Sequence, residues 1–173
     1  MLVHICCAPD ALYVMEVLKR DFDVSGYFYN PNIYPETEYR LRLEEARKVA
    51  GILDFDLIEG EYSSRYWMSI TRRFKDEPEK GRRCDVCYAL RLAGTVRKAQ
   101  EIGFEAFTTV MSLSPLKKAT DLNRIGRMFS KRYGIYFLEA DFKKKDGFKK
   151  SVELSKKHGL YRQNYCGCLY SMR

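Results

Sequence analysis

The first ten residues, Met1-Leu-Val-His-Ile-Cys-Cys-Ala-Pro-Asp10, constrain this chain more than any other stretch. Leu2 to Ile5 reads as a short buried strand, and Ala11 to Arg20 has the spacing of an amphipathic helix, so Cys6 to Asp10 is the turn between them. Pro9 suits the first helical turn and Asp10 suits the N-cap. In an open α/β sheet such a turn lies at the carboxyl end of its strand, the edge where these folds hold ligands. A phosphate-binding relative would carry glycines here so that backbone amides can close on the anion. This chain has two adjacent thiols and a carboxylate instead.

The same alternation continues. Val24 to Tyr29 reads as a second strand, Glu36 to Gly51 as a helix ended by its glycine, and Asp54 to Ile58 as a third strand. That succession implies right-handed crossovers and a parallel sheet covered on both faces. The middle is helical: Tyr62 to Phe74 with Trp67 on its buried side, then Arg82 to Ile102. Gly103 to Thr109 predicts a fourth strand, Ser112 to Thr120 a loop, Asp121 to Tyr133 a helix, Ile135 to Ala140 a fifth strand and Asp146 to His158 a last helix. The expectation is one α/β domain over residues 1–173: a parallel twisted sheet of about five strands, as in HUP and PP-loop nucleotide-binding folds but without the phosphate loop. No apolar stretch approaches the ~20 residues of a membrane span, and the N-terminal run is too short for a secretion signal. The expected location is cytoplasmic, with no membrane partner.

Six cysteines fall in three groups, Cys6-Cys7, Cys84-x-x-Cys87 and Cys166-Gly-Cys168. In a cytosolic protein this pattern argues for metal or redox chemistry rather than a disulfide framework. Cys84 and Cys87 stand at the start of a helix, where its dipole favours thiolate. Alone, the pair reads equally as structural zinc, redox dithiol or cluster ligands. Adjacent cysteines such as Cys6 and Cys7 are awkward for a compact zinc tetrahedron and suit a larger cluster. A Cys-Gly-Cys can close into a strained, labile disulfide or hold a second metal.

Taken together, His4-x-Cys-Cys-Ala-Pro, Arg83-Cys-x-x-Cys-Tyr-x-Leu-Arg91 and Tyr161-Arg-Gln-Asn-Tyr-Cys-Gly-Cys168 resemble the QueH-type epoxyqueuosine reductases, from Leu2 to about Ser171. These are cobalamin-independent enzymes of the last step of queuosine synthesis at the wobble position of tRNA. The resemblance implies that Cys6, Cys7, Cys84 and Cys87 hold an iron–sulfur cluster of the [4Fe-4S] kind. It also implies that Cys166 and Cys168 form a redox-active pair, fed by an electron donor the sequence does not identify. Asp10 either binds an additional mononuclear iron or merely caps the helix. His4, Tyr161 and Tyr165 are candidate proton donors.

Charge points to tRNA independently. From Lys117 onward 15 Lys and Arg face 5 Asp and Glu, although the whole chain carries only +8. Lys143 to Lys145, Lys149-Lys150 and Lys156-Lys157 recur at near-helical intervals, with Lys144 and Lys149 among the candidate phosphate contacts. A second group is Lys117, Lys118, Arg124, Arg127, Lys131 and Arg132. Tyr161, Arg162 and Tyr165 suit stacking on a splayed-out base. Blander readings accompany each of these. Lys-rich helix faces are commonly just solvated, most tyrosines pack, His4 suits a hydrogen-bonded core position, and Arg91 suits a helix neighbour. Two rival functions remain at this level: a zinc-stabilised RNA-binding module without catalysis, and a cytosolic thiol–disulfide oxidoreductase.

Overall fold

A computed structural model describes residues 1–172. Five strands form one parallel sheet: β1 (Leu2–His4), β2 (Ser25–Phe28), β3 (Leu57–Glu59), β4 (Ala106–Thr109) and β5 (Tyr136–Phe137), in the order β3-β2-β1-β4-β5. The central position of β1 follows from its sequence. All three of its residues are fully buried, which only a strand flanked on both edges and covered on both faces tolerates.

Six helices connect and cover the sheet: α1 (Ala8–Leu18), α2 (Glu36–Leu53), α3 (Ser64–Thr71), α4 (Arg82–Glu101), α5 (Ala119–Tyr133) and α6 (Gly147–Lys157). Helix α1 packs against α2 and α6, and α4 packs against α5. These two helical layers enclose a core that includes Leu2, Ile5, Leu12, Met15, Phe28, Leu92 and Phe107, all at most 1% exposed. The fold class read from the sequence is the one observed. No helix among the described residues is long and apolar enough to cross a membrane.

Several boundaries differ, each for a local reason. Gly51 does not end α2. The helix runs on to Leu53 and closes at Asp54, whose φ of 51° and backbone N–H to the Ala50 carbonyl make the left-handed cap. Strand β3 therefore begins at Leu57 rather than Asp54. Gly103 likewise serves as a turn, with φ of 80°, and β4 starts only at Ala106. The expected helix over 62–74 is α3 followed by a 3-10 turn at Arg72–Phe74, and the expected loop over 112–120 begins in a 3-10 turn at Val110–Leu113. Strand β5 is only two residues long. Asp10 is not the N-cap of α1. That position belongs to Cys7, Pro9 follows in the first turn, and Asp10 sits one position further in, its carboxylate near the positive helix end.

Candidate active site

The crossovers leave β1 in opposite directions toward β2 and β4, so a crevice opens beyond the carboxyl ends of the central strands. A cavity of about 150 Å³ occupies it. Its walls come from every part of the chain: Cys6 and Asp10 after β1, Asn32 after β2, Cys84 at the start of α4, Lys117 after β4, and Cys166 in the C-terminal tail. A volume of that size admits a single ring, as an engineered cavity of similar size binds benzene.

Two groups of ligating side chains meet here. In the first, the Cys6 and Cys7 sulfurs are 3.9 Å apart, and the ligand atoms of Cys6, Cys7 and Asp10 all lie within 4.8 Å of one another. All three are buried. The two sulfurs are within hydrogen-bonding reach of each other. The Cys6 thiol is held well below its usual value by that hydrogen bond, against burial, with Lys117, Arg91 and Arg42 adding positive charge. Cys7 is pushed well above its usual value by the same bond and by burial. Burial and the charge of Cys6 push the Asp10 carboxyl up to about 7. Three buried acidic groups this close cannot all ionise unless a cation offsets their charge.

The second group joins α4 to the tail. Cys87, Cys168 and Trp67 form a small apolar cluster, with Tyr170 tilted against Trp67 at 5.8 Å. Cys166 and Cys168 are near enough to raise the thiols of both Cys84 and Cys87. The start of α4 favours thiolate, but without a metal the surroundings of these two thiols oppose it. Burial outweighs the helix dipole, raising Cys84 and pushing Cys87 up to about 12. The Lys80 backbone N–H, 3.2 Å from the Cys84 sulfur, offsets part of this. All six cysteines are free thiols, so Cys166 and Cys168 are not closed into a disulfide. The fold thus sets the third cysteine motif beside the second and the first beside Asp10.

Arginines and a lysine arrange these groups. Arg42, on α2, has a side chain only 2% exposed. Its Nε donates to Glu38 at 2.7 Å, and its two Nη groups donate to the Cys166 and Tyr165 carbonyls at 3.1 and 3.3 Å. Between the tail cysteines, Gly167 has φ of 115°, and a Cβ there would lie 2.9 Å from an Arg42 nitrogen. Only glycine satisfies both conditions. Arg91 has a side-chain hydrogen bond to its helix neighbour Cys87, with other partners besides. It is 1% exposed and donates to the Asn30 side chain at 2.8 Å and to His4 at 3.3 Å. His4 is the hydrogen-bonded core histidine, its other contacts being Thr109 at 3.0 Å and the Tyr29 carbonyl at 3.1 Å. Burial, and then the charge of Arg91, push its pKa well below the usual value. Lys117 was grouped with the phosphate contacts, yet it lines the cavity. Burial opposes its charge, but Cys166, Cys6 and Asp10 more than restore it.

The remaining candidates separate. Arg162 and Tyr165 line the cavity, whereas Tyr161 does not. The Tyr161 hydroxyl donates to Glu38 at 3.1 Å and its backbone N–H to Glu45 at 2.8 Å, fixing the start of the tail. Arg162 donates to Ser155 at 3.0 Å and lies 5.5 Å over the Phe148 ring, while the Tyr165 hydroxyl donates to the Tyr34 carbonyl at 2.7 Å. Lys144 and Lys149 are exposed. Lys143 is occupied, donating to the Ser112 and Lys117 carbonyls, and Arg124 and Arg127 pair with Asp85 and Glu139. Sequence reasoning missed Arg42 and assigned no chemistry to Asn32. Arg42 resembles any other charge on a polar helix, and Asn32 resembles any other loop residue.

An open parallel sheet with buried thiols and a carboxylate at its switch point defines a thiol-rich member of the doubly wound α/β class. Within it, the family model described as "Epoxyqueuosine reductase QueH" matches residues 1–173, and the chain belongs to that family. A relative of that name from Thermotoga maritima is 38% identical, over 99% of this chain and 90% of its own length. Another from Streptococcus pyogenes is 36% identical, over 100% of this chain and 70% of its own. Among solved structures, a chain described as a predicted subunit of tRNA methyltransferase from Methanocaldococcus jannaschii superposes with a TM-score of 0.59. It covers 91% of this chain and 76% of its own at 13% identity, a likeness of fold alone.

Proposed function

We propose that this chain, as one α/β domain, reduces epoxyqueuosine to queuosine in tRNA. The observation that carries this reading is the convergence of all three cysteine motifs on one ring-sized cavity in a member of the QueH family. Removing an epoxide oxygen breaks two C–O bonds, forms one C=C bond and releases water, consuming two electrons and two protons. No ordinary side chain supplies electrons repeatedly.

The donor sets fit metals of two kinds. Cys6, Cys7 and Asp10 offer a mixed set suited to one iron, and we assign Cys84, Cys87, Cys166 and Cys168, of which Cys87 and Cys168 pack together, as the thiols that would hold a [4Fe-4S] cluster. This pairing differs from the one the family resemblance implied, and it turns Cys166 and Cys168 from a dithiol relay into ligands. When bound, such groups supply electrons and Lewis acidity. The chain's own residues do the rest. Lys117 keeps its proton on the cavity wall and is placed to offset charge on the leaving oxygen. Arg162 and Tyr165 border the cavity where the nucleoside enters.

The test is anaerobic isolation followed by iron and sulfide analysis and conversion of epoxyqueuosine-containing tRNA. Brown protein with both iron and sulfide and measurable conversion supports the reading. Colourless protein holding only zinc returns the chain to an RNA-binding module. For the tRNA surface, Lys144→Glu with Lys149→Glu should weaken binding and lower the slope of log affinity against log salt by about 2, because each lost phosphate contact releases roughly one counterion fewer. Titration at several salt concentrations measures this. An unchanged slope makes both lysines ordinary solvated surface.

A further inference from the structure

Trp67 is the chain's one tryptophan, and its indole N–H is a donor shut inside the protein. The residue is 2% exposed, and no oxygen or nitrogen among the described residues accepts from its Nε1. Packing explains the burial of the ring but not of the N–H, since a buried indole ordinarily finds a partner and the donor loses its hydration without one. The polar neighbour it does have is a sulfur. Trp67 and Cys87 pack in one cluster with Cys168, and the Cys87 thiol feels the indole as a side-chain donor.

The indole is held in that position. The Trp67 backbone N–H donates to the Ser63 carbonyl at 3.2 Å, and the Trp67 carbonyl accepts from the Thr71 hydroxyl at 2.9 Å. Tyr170 tilts against the indole ring at 45° and is itself covered by the Arg83 guanidinium, 4.7 Å over its centre. Cys87 has a second donor in Arg91, and Cys84 receives the Lys80 backbone N–H at 3.2 Å. Donors thus converge on both sulfurs of α4, yet a neutral thiol is only a weak acceptor. The arrangement suits an ionised sulfur, because a hydrogen bond to a charged acceptor is roughly twice as strong as one to a neutral acceptor. Ligation to a metal supplies that charge, since a cysteine binds as its thiolate.

We infer that Trp67 is a positioning residue whose indole N–H donates to the Cys87 sulfur once that sulfur is a cluster ligand, and thereby raises the reduction potential of the cluster. This rests on the assignment of Cys84, Cys87, Cys166 and Cys168 to a [4Fe-4S] cluster and deepens it. An N–H aimed at a ligand sulfur stabilises the more negative, reduced state more than the oxidised one, so an external reductant loads the cluster more readily.

The experiment measures the midpoint potential of the cluster by anaerobic redox titration, followed by electron paramagnetic resonance. It compares wild type, Trp67→Phe, and protein carrying benzothienylalanine in place of tryptophan. Because the chain has a single tryptophan, that replacement exchanges one N–H for a sulfur and keeps the shape of the ring. Both altered proteins should favour the oxidised cluster by about tenfold, which is about 59 mV more negative for a one-electron couple. Iron and sulfide in the isosteric protein should stay at the wild-type level. Trp67→Phe also opens a void, so the isosteric protein decides where the two differ or where the phenylalanine variant does not assemble. A wild-type potential in the isosteric protein overturns the inference, and so does loss of its cluster, which would make the N–H a requirement of assembly. Wild-type protein without iron and sulfide overturns the cluster assignment itself, a result distinct from both.

Discussion

Cys168→Ser should strip iron and sulfide from the protein and abolish reduction together, lowering activity by on the order of a hundredfold or more. Loss of groups that merely support a metal ligand already costs roughly 10–100-fold, and a ligand itself should exceed that. The reason lies in its surroundings. Cys168 is 9% exposed and packs with Cys87 and Trp67, so a serine hydroxyl there would neither ionise nor find water. Cys84→Ser should behave alike, since its thiol feels the charges of Cys166 and Cys168. The relay implied by the family resemblance predicts another result. A protein whose Cys166 and Cys168 only cycle through a disulfide would keep its iron in Cys168→Ser and stall after one turnover. Iron, sulfide and single-turnover assays on one preparation separate the two.

Arg42→Met should destabilise the fold by about 3 kcal/mol or more, the range for breaking a buried ion pair by removing one partner. For a chain of this length that lowers the melting temperature by roughly 6–12 °C. The substitution leaves Glu38 with only the Tyr161 hydroxyl, and it frees the Cys166 and Tyr165 carbonyls that the guanidinium holds. Iron content should fall as well, because the tail then no longer presents Cys166 and Cys168 to α4. Arg42→Lys keeps the charge without the fork and should recover only part of the loss. A melting temperature within 2 °C of wild type would show that the tail is held elsewhere.

Much of this was legible in the residues because it is local. An apolar run ending at Cys6 and a helix period after it determine β1, α1 and the turn between them. What sequence spacing could not convey is which motif the tail approaches. Pairing Cys84 and Cys87 with Cys6 and Cys7 was natural, as both stand at element ends on one sheet edge. The tail is held by Arg42 on α2 and by Tyr34 in the loop after β2, and its Cys168 packs on Trp67 and Cys87, contacts that no spacing in the sequence announces. Burial was equally invisible. The dipole at the start of α4 argues for thiolates, and the burial of Cys87, which pushes its thiol up, is visible only in the folded chain. The caps failed where two signals competed: Gly51 is the stronger glycine signal, but Ile52 and Leu53 continue the helix to Asp54.

The unequal exposure of the thiols also orders their vulnerability. Cys84 and Cys166 are half-buried, while Cys6, Cys7, Cys87 and Cys168 are buried. Oxidants and alkylating reagents follow access as well as thiolate character. In metal-free protein, peroxide or iodoacetamide entering through the cavity therefore meets Cys6, Cys84 and Cys166, one from each motif. Cys7, Cys87 and Cys168 do not line it and are sheltered behind them. Air, on this view, erodes the protein from its substrate side, and a molecule occupying the cavity doubles as a shield for the chemistry beneath it.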